Sequence, residues 1–172
     1  MAYCWCISQE AHLGVRNRAP APLPFLDGPG SIIDTYEQKF GVPADKLGIL
    51  FGWFGCDFEC TNNATDPDGA YAGCPVVEKA FRSPTYGSIV RDLLPNATNG
   101  GVRLNATLQS KFFNFRGEGD ELRQVWYDDP ETLGAKYALA KRKGLRALGM
   151  WVADDVYPLG GGDVQAMWDA LP

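Results

Sequence analysis

The sequence predicts an α/β fold in which a parallel sheet is covered by helices. Three apolar segments predict buried strands, at 1–7, 47–54 and 145–153. The second segment is apolar on both faces, which is typical of parallel strands. Helical patterns separate the segments, and such alternation favours parallel pairing with helices packed outside. Three strands cannot close a barrel, so the pattern leaves a small open sheet or part of a larger one.

Two helices have recognisable first and last residues. Ser31 can cap a helix that ends at Gly41, with apolar residues along one face. The run Asp129-Pro130-Glu131 combines an acidic cap, a proline in the first helical position and a glutamate in the first turn. We expect that second helix to end at Gly144, and a short helix at about 163–171 to close the chain.

Two other stretches predict loops. Residues 16–30 are rich in proline and carry few charges, which is typical of an ordered loop. Residues 55–122 are rich in glycine and proline, so most of this region is expected to be irregular, with one helix near 86–94. A strand at 124–127 then leads into the helix that begins after Asp129.

The composition excludes several partners. The net charge is −5 and the longest basic run is Lys141-Arg142-Lys143, whereas nucleic-acid binding depends on neutralising phosphates. No apolar run approaches the roughly 20 residues of a membrane span. The spacings Cys4-x-Cys6 and Cys56-x3-Cys60 do not match zinc sites. We therefore expect no nucleic acid, no membrane span, no metal and no other cofactor.

Three sequons of identical wording indicate the compartment. Asn63, Asn96 and Asn105 each begin an Asn-Ala-Thr triplet. N-linked glycans occupy exposed loops, so the cluster predicts glycosylation at these asparagines and passage through the secretory pathway. The residues after Met1 do not form a secretory leader. The expected location, lysosomal or extracellular, therefore depends on the sequons and the cysteines.

All five cysteines lie in the first 74 residues. An oxidising compartment favours disulfides, and we expect Cys60 and Cys74 to pair. That bond closes a loop of about 15 residues, which the chain-entropy argument values at about 3 kcal/mol. The pairing of Cys4, Cys6 and Cys56 stays open, because an odd number of cysteines needs a further thiol.

Three segments resemble the last three barrel strands of glycoside hydrolase family 18, in the same order. Met1-Ala-Tyr3 resembles the Met-x-Tyr-Asp of the sixth strand, with Cys4 in place of the aspartate. Residues 47–55 resemble the seventh strand, which ends in an aromatic pair and a glycine. Gly149-Met150-Trp151 resembles the eighth strand. The block 124–131 is particularly similar to the chitobiase type within that family.

The resemblance implies a partial (β/α)8 TIM barrel. Residues 1–172 would form its C-terminal part, about strands six to eight, with an α/β insertion at about 56–126 between the last two strands. A complete barrel needs about 250 residues, so strands one to five would belong to a missing N-terminal part of the parent protein. The implied ligand is β-1,4-linked N-acetylglucosamine, in the chitobiose core of N-glycans or in chitin oligomers.

Four aromatic residues are implied as substrate-binding. Tyr3 would hydrogen-bond the N-acetyl carbonyl of the sugar. Trp151 would form the floor of the sugar site, because an indole presents a flat apolar surface to a sugar ring. Trp53 and Phe54, at the end of the seventh strand, are further candidates. For each of them the alternative is ordinary core packing.

The family's catalytic carboxylates are absent from this sequence. In the family, an Asp-x-x-Asp-x-Asp-x-Glu segment supplies the acid, and the substrate's own acetamido oxygen is the nucleophile, which is an exception to the two-carboxylate scheme. Nothing in the chain matches that segment, and a loop or capping role is expected for Asp154 and Asp155. We therefore expect the chain alone to be inactive, with a lectin-like or a structural secreted glycoprotein as the alternatives.

Overall fold

A computed structural model of the chain describes residues 2–3, 21, 23–27, 31–60, 74 and 76–172. Its strands and α-helices are β1 (Ala2–Tyr3), α1 (Leu23–Leu26), α2 (Ile32–Asp34), β2 (Gly48–Gly52), β3 (Cys56–Cys60), β4 (Val76–Arg82), α3 (Tyr86–Ser88), β5 (Ala97–Asn105), β6 (Ser110–Arg116), β7 (Leu122–Tyr127), α4 (Pro130–Arg142), β8 (Ala147–Trp151) and α5 (Gly161–Asp169). Helices α2 and α3 continue as π-helical turns, at Thr35–Lys39 and Ile89–Leu93, and short 3-10 turns lie at Ala44–Lys46, Leu94–Asn96 and Ala153–Val156.

Strands β1, β2 and β8 form a parallel sheet in that order. The predicted parallel pairing of the three apolar segments is therefore confirmed where the structure describes them. For the first segment this covers only Ala2–Tyr3, because residues 4–7 lie outside the described part of the chain. The register pairs Tyr3 with Leu50, and Gly52 with Trp151.

Helices cover one face of the parallel sheet. Successive strand residues point to opposite faces, and the alternate residues Ile49, Phe51 and Trp53 are all buried. The Phe51 ring packs edge-on against Tyr137 of α4, with ring centroids 5.0 Å apart. Trp53 packs in the same way against Trp168 of α5, at 5.1 Å. The other face carries the register partners Gly52 and Trp151.

The expectation that residues 145–153 form a buried strand is wrong for the described chain. Ala147 and Trp151 are exposed, and the three residues between them are half-buried. Strand β8 ends the sheet on one side, so among the described residues no further strand packs beside it. Its helix-facing residues, Leu148 and Met150, still pack against the main core.

The region expected to be irregular contains a five-stranded antiparallel sheet, in the order β4-β3-β7-β6-β5. One face joins the main core through Phe113, Phe115, Val125 and Tyr127. The opposite face forms a second core that includes Phe58, Phe112, Trp126 and the cystine of Cys60 and Cys74. Both faces of β6 and β7 are thus mostly buried, and these strands lack the apolar–polar alternation that identifies a half-exposed sheet.

Polar residues inside this sheet are buried with partners. The Arg123 guanidinium donates from Nε to Asp57 Oδ1 at 2.9 Å, with both side chains buried. Gln124 donates to Asn114 and accepts from the Trp126 indole. Because these groups satisfy one another, polar residues occupy interior positions that an apolar pattern cannot identify.

The α4 start is confirmed in detail. Asp129 caps the helix by accepting from the Thr132 backbone N–H at 3.1 Å. Its neighbour Asp128 instead forms a buried ion pair with Lys136, whose Nζ lies 2.6 Å from Oδ2. Burial raises the Asp128 pKa, and the Lys136 ammonium acts in the opposite direction. Gly144, just past the helix, has a left-handed φ of 75°, which favours glycine there.

Two helix predictions are confirmed, and one loop prediction is corrected. Ser31 caps α2 by accepting a hydrogen bond from the Asp34 backbone N–H. The helical turns that continue α2 end before Gly41, which has a left-handed φ of 64°. The helix expected near 86–94 is α3 with its continuation. Residues 16–30 are not wholly loop, because 23–26 form the single helical turn α1. None of the described helices is long and apolar enough to cross a bilayer.

Candidate functional site

Trp151 ends β8 on the face of the parallel sheet that the helices leave open. Its side chain is 47% exposed, and its carbonyl accepts from the Trp53 backbone N–H at 2.9 Å. The carboxyl end of a parallel strand is where barrel enzymes place their sites. The strand thus presents an accessible indole at the end of the sheet where ligands bind in such folds.

Trp151 lies opposite Gly52 in the register of the sheet, and the Phe54 ring packs over that glycine. A Cβ on Gly52 would lie 2.7 Å from Phe54 Cζ and 2.8 Å from Cδ1, so the Phe54 ring occupies the space that any larger residue would need. Gly52 is the register partner of Trp151, and Phe54 is half-buried. We call Gly52, Phe54 and Trp151 the aromatic corner.

The two acidic residues after β8 do not form a paired acid site. Asp155 accepts from the Val152 backbone N–H at 3.1 Å, and its pKa is raised by burial while that hydrogen bond lowers it. Asp154 is exposed in the same 3-10 turn. The expected capping role is therefore observed for Asp155. The peptide bond between Trp151 and Val152 is cis.

The other predicted sugar-contacting residues are placed differently. Trp53 is completely buried, on the helix-covered face beneath Trp168, so it is separate from the aromatic corner. The backbone of Tyr3 lies in β1, opposite Leu50. Sequence reasoning did not identify Gly52, although its position between two aromatic residues in Phe51-Gly-Trp-Phe54 is a usable indication of close packing.

The predicted modification sites are partly described. Cys60 and Cys74 form the disulfide that the sequence predicts, and Cys56 is also disulfide-bonded. Asn96 is exposed at the end of a 3-10 turn, and Asn105 is the half-buried last residue of β5. Cys4, Cys6 and Asn63 lie outside the described residues. The described residues contain no group of His, Cys, Asp or Glu that could hold a metal ion.

The chain is similar in sequence and in fold to several known proteins. No protein-family profile matches the chain. Mouse di-N-acetylchitobiase is 31% identical over 144 residues, covering 77% of this chain and 38% of the mouse protein. A family 18 chitinase from Cycas revoluta, solved with (GlcNAc)3, has a TM-score of 0.61 and 21% identity, over 87% of this chain and 39% of the chitinase. A chitinase-like agglutinin from Robinia pseudoacacia has a TM-score of 0.59 and 24% identity, over 89% and 41%.

The chain has a mixed α/β fold that is similar to part of the solved structures of glycoside hydrolase family 18 chitinases. Its curated relatives include the di-N-acetylchitobiases of mouse and human, at 31% and 25% identity, so the resemblance drawn from the sequence is confirmed. The chain spans about two fifths of the length of these curated relatives, at 38% of the mouse protein.

Proposed function

We propose that residues 1–172 are the C-terminal part of a family 18 (β/α)8 barrel, with about 56–126 as an insertion between its last two strands. The parallel order β1-β2-β8 supports the assignment to strands six to eight. The five-stranded sheet is formed by residues that follow β2 and precede β8. The open edge of β8 is the position at which a barrel would continue with strands from the parent's N-terminal part.

The parent reaction is the hydrolysis of β-1,4-linked N-acetylglucosamine. In the substrate-assisted scheme the acetamido carbonyl oxygen attacks the anomeric carbon, and a carboxylic acid protonates the leaving oxygen. The 172 residues contain no match to the family's acidic segment. Asp155 accepts the Val152 N–H in a capping role, and the proposed function of the chain by itself is to bind sugar without turning it over.

The aromatic corner is the part of the site that this chain supplies. The single observation that carries the proposal is the register of Gly52 with Trp151, which sets a half-exposed indole opposite the glycine over which the Phe54 ring packs. The apolar C–H face of an N-acetylglucosamine ring stacks on the Trp151 indole. Tyr3 holds the acetamido carbonyl. Trp53 supports the surface from the helix-covered side.

A binding function without catalysis is the second candidate. It is favoured by the same corner in a chain without an identifiable acid, and by the fold likeness to an agglutinin. In both cases the ligand is a β-1,4-linked N-acetylglucosamine oligosaccharide. The location is the secretory pathway, lysosomal or extracellular, where Asn63, Asn96 and Asn105 carry N-linked glycans.

Incubating the purified chain with chitobiose and with longer N-acetylglucosamine oligomers tests the catalytic part of this proposal. We expect no release of N-acetylglucosamine above that of a mock purification from the same host. Steady release that co-purifies with the chain through two unrelated chromatographic steps would show that a catalytic acid is present, and would contradict the proposal.

A further inference from the structure

Strand β5 is an outer strand of the five-stranded sheet and exposes apolar side chains. Only β6 pairs with it among the described residues, and Val102 and Leu104 are 37% and 45% exposed. An outer strand that exposes apolar side chains is a template for pairing with another chain. In a secreted protein this edge therefore needs cover.

A wide bulge divides β5 into two paired stretches. The register moves from Thr98 opposite Asn114 to Arg103 opposite Phe112, so the four residues 99–102 face the single β6 residue Phe113 and β5 has three extra residues. Gly100 and Gly101 adopt left-handed φ values of 91° and 74° in this bulge. The bulge interrupts regular pairing in the middle of the β5 edge. The outer ends of the two paired stretches remain as the parts of the edge on which another strand could pair.

A sequon asparagine stands at each of these ends. Asn96 directly precedes the first stretch, and Asn105 is the last residue of the second. The β6 residues opposite, Phe115 to Ser110, span about 17 Å at the usual rise per strand residue. Both asparagines are thus within reach of the same short edge.

The side-chain amides are compatible with modification. Asn96 Nδ2 donates to the Asp92 carbonyl at 2.8 Å, which uses one of its two hydrogens and leaves one to be replaced. Asn105 accepts the Leu108 backbone N–H through Oδ1 at 2.9 Å, so its nitrogen is not required for that bond. Thr107, the third residue of the second sequon, is exposed.

We propose that N-linked oligosaccharides at Asn96 and Asn105 cover the β5 edge and keep the protein from associating through it. The donor is an oligosaccharide on a lipid pyrophosphate. A bond forms between Nδ2 and the anomeric carbon, the sugar–phosphate C–O bond breaks, the lipid pyrophosphate leaves with the electron pair, and Nδ2 releases a proton. The proposal rests on the secretory location and is independent of sugar binding at the aromatic corner.

The test uses the full chain, secreted from a eukaryotic host behind a heterologous leader. Peptide mapping determines occupancy at the three sequons, and light scattering after size exclusion determines mass. Asn96→Gln combined with Thr107→Ala removes both glycans, and the second change leaves the Asn105–Leu108 hydrogen bond intact. We expect wild-type protein and Asn63→Gln to stay monomeric, and the double variant to show a several-fold larger oligomer fraction that grows with concentration.

Two further samples separate edge pairing from misfolding. Wild-type protein trimmed in the folded state with an endoglycosidase should associate like the double variant. Adding Leu104→Lys to the double variant should restore the monomer, because a charged residue on an edge opposes pairing. Unoccupied Asn96 and Asn105, or a double variant as monomeric as wild type, would overturn the proposal. A glycan at Asn63 alone would still agree with passage through the secretory pathway, but it would refute the proposal that glycans cover the β5 edge.

Discussion

The aromatic corner depends on a residue without a side chain. The Phe54 ring lies where the Cβ of any residue at position 52 would stand, and Trp151 is the register partner of that position. The exposed indole was predictable from the order of the strand segments. The opposite placement of Trp53 was not, because the face on which a residue lies relative to another strand depends on a register that one sequence does not reveal.

Gly52→Ala tests this close packing. The added methyl group displaces the Phe54 ring, and we expect a loss of about 1–3 kcal/mol in the free energy of unfolding, together with weaker binding of N-acetylglucosamine oligomers. Denaturant unfolding and titration calorimetry measure the two effects. Gly134→Ala is the matched control: its Cβ meets nothing within 4 Å, in the interior of α4, so it should stabilise by up to about 1 kcal/mol. Equal effects of the two changes would contradict the packing argument.

The secondary-structure elements differ in how well a sequence predicts them. β2, β8 and α4 were predictable, because each has a continuous apolar run or an explicit cap. Most of the five-stranded sheet was not, because Asn114, Arg123 and Gln124 occupy buried positions with buried partners. A buried polar residue makes a strand hard to recognise from the sequence, because its hydrogen-bond partner can lie far away in the chain, as Asp57 does from Arg123.

The ion pair between α4 and the end of β7 should be strongly coupled to stability. Lys136→Met leaves Asp128 buried without its partner, which costs about 3–5 kcal/mol. Without the ammonium, burial raises the Asp128 pKa further above its unfolded value, so the variant should lose stability as the pH rises through that folded pKa. Unfolding curves from acid to neutral pH measure this. Adding Asp128→Asn should recover stability at neutral pH, and a pH-independent Lys136→Met would refute the account.

The disulfide stabilises the second core, which lies on the other face of the five-stranded sheet from the parallel strands. Cys60 and Cys74 are separated by 14 positions, so replacing both with serine should reduce the free energy of unfolding by about 3 kcal/mol. Sugar affinity of the folded protein should not change, because the bond packs with Phe112 and Trp126 and not with the aromatic corner. Lost affinity in a well-folded double variant would show that the two regions are coupled.

At the scale of the whole molecule, one core joins the two sheets. Buried residues of β2, β6, β7, α4 and α5 belong to a single cluster, so the helix-covered face of the parallel sheet also packs against the insertion. The opposite face keeps Ala147 and Trp151 exposed. The molecule is therefore well packed on one side of the parallel strands and accessible on the other, where the proposed sugar surface lies.

The most direct test of that surface is the affinity of the purified chain for an N-acetylglucosamine tetramer, measured with the melting temperature for wild type, Trp151→Ala and Trp168→Ala. Trp168 is the matched control, an indole that is 40% exposed but packs on the helix-covered face. We predict that Trp151→Ala weakens binding about thirtyfold, equivalent to about 2 kcal/mol, with little change in melting temperature. Trp168→Ala should leave affinity unchanged. A folded Trp151→Ala protein with wild-type affinity would contradict the account. So would a large fall in melting temperature, of the size expected when a core residue is truncated at a cost of about 3–5 kcal/mol.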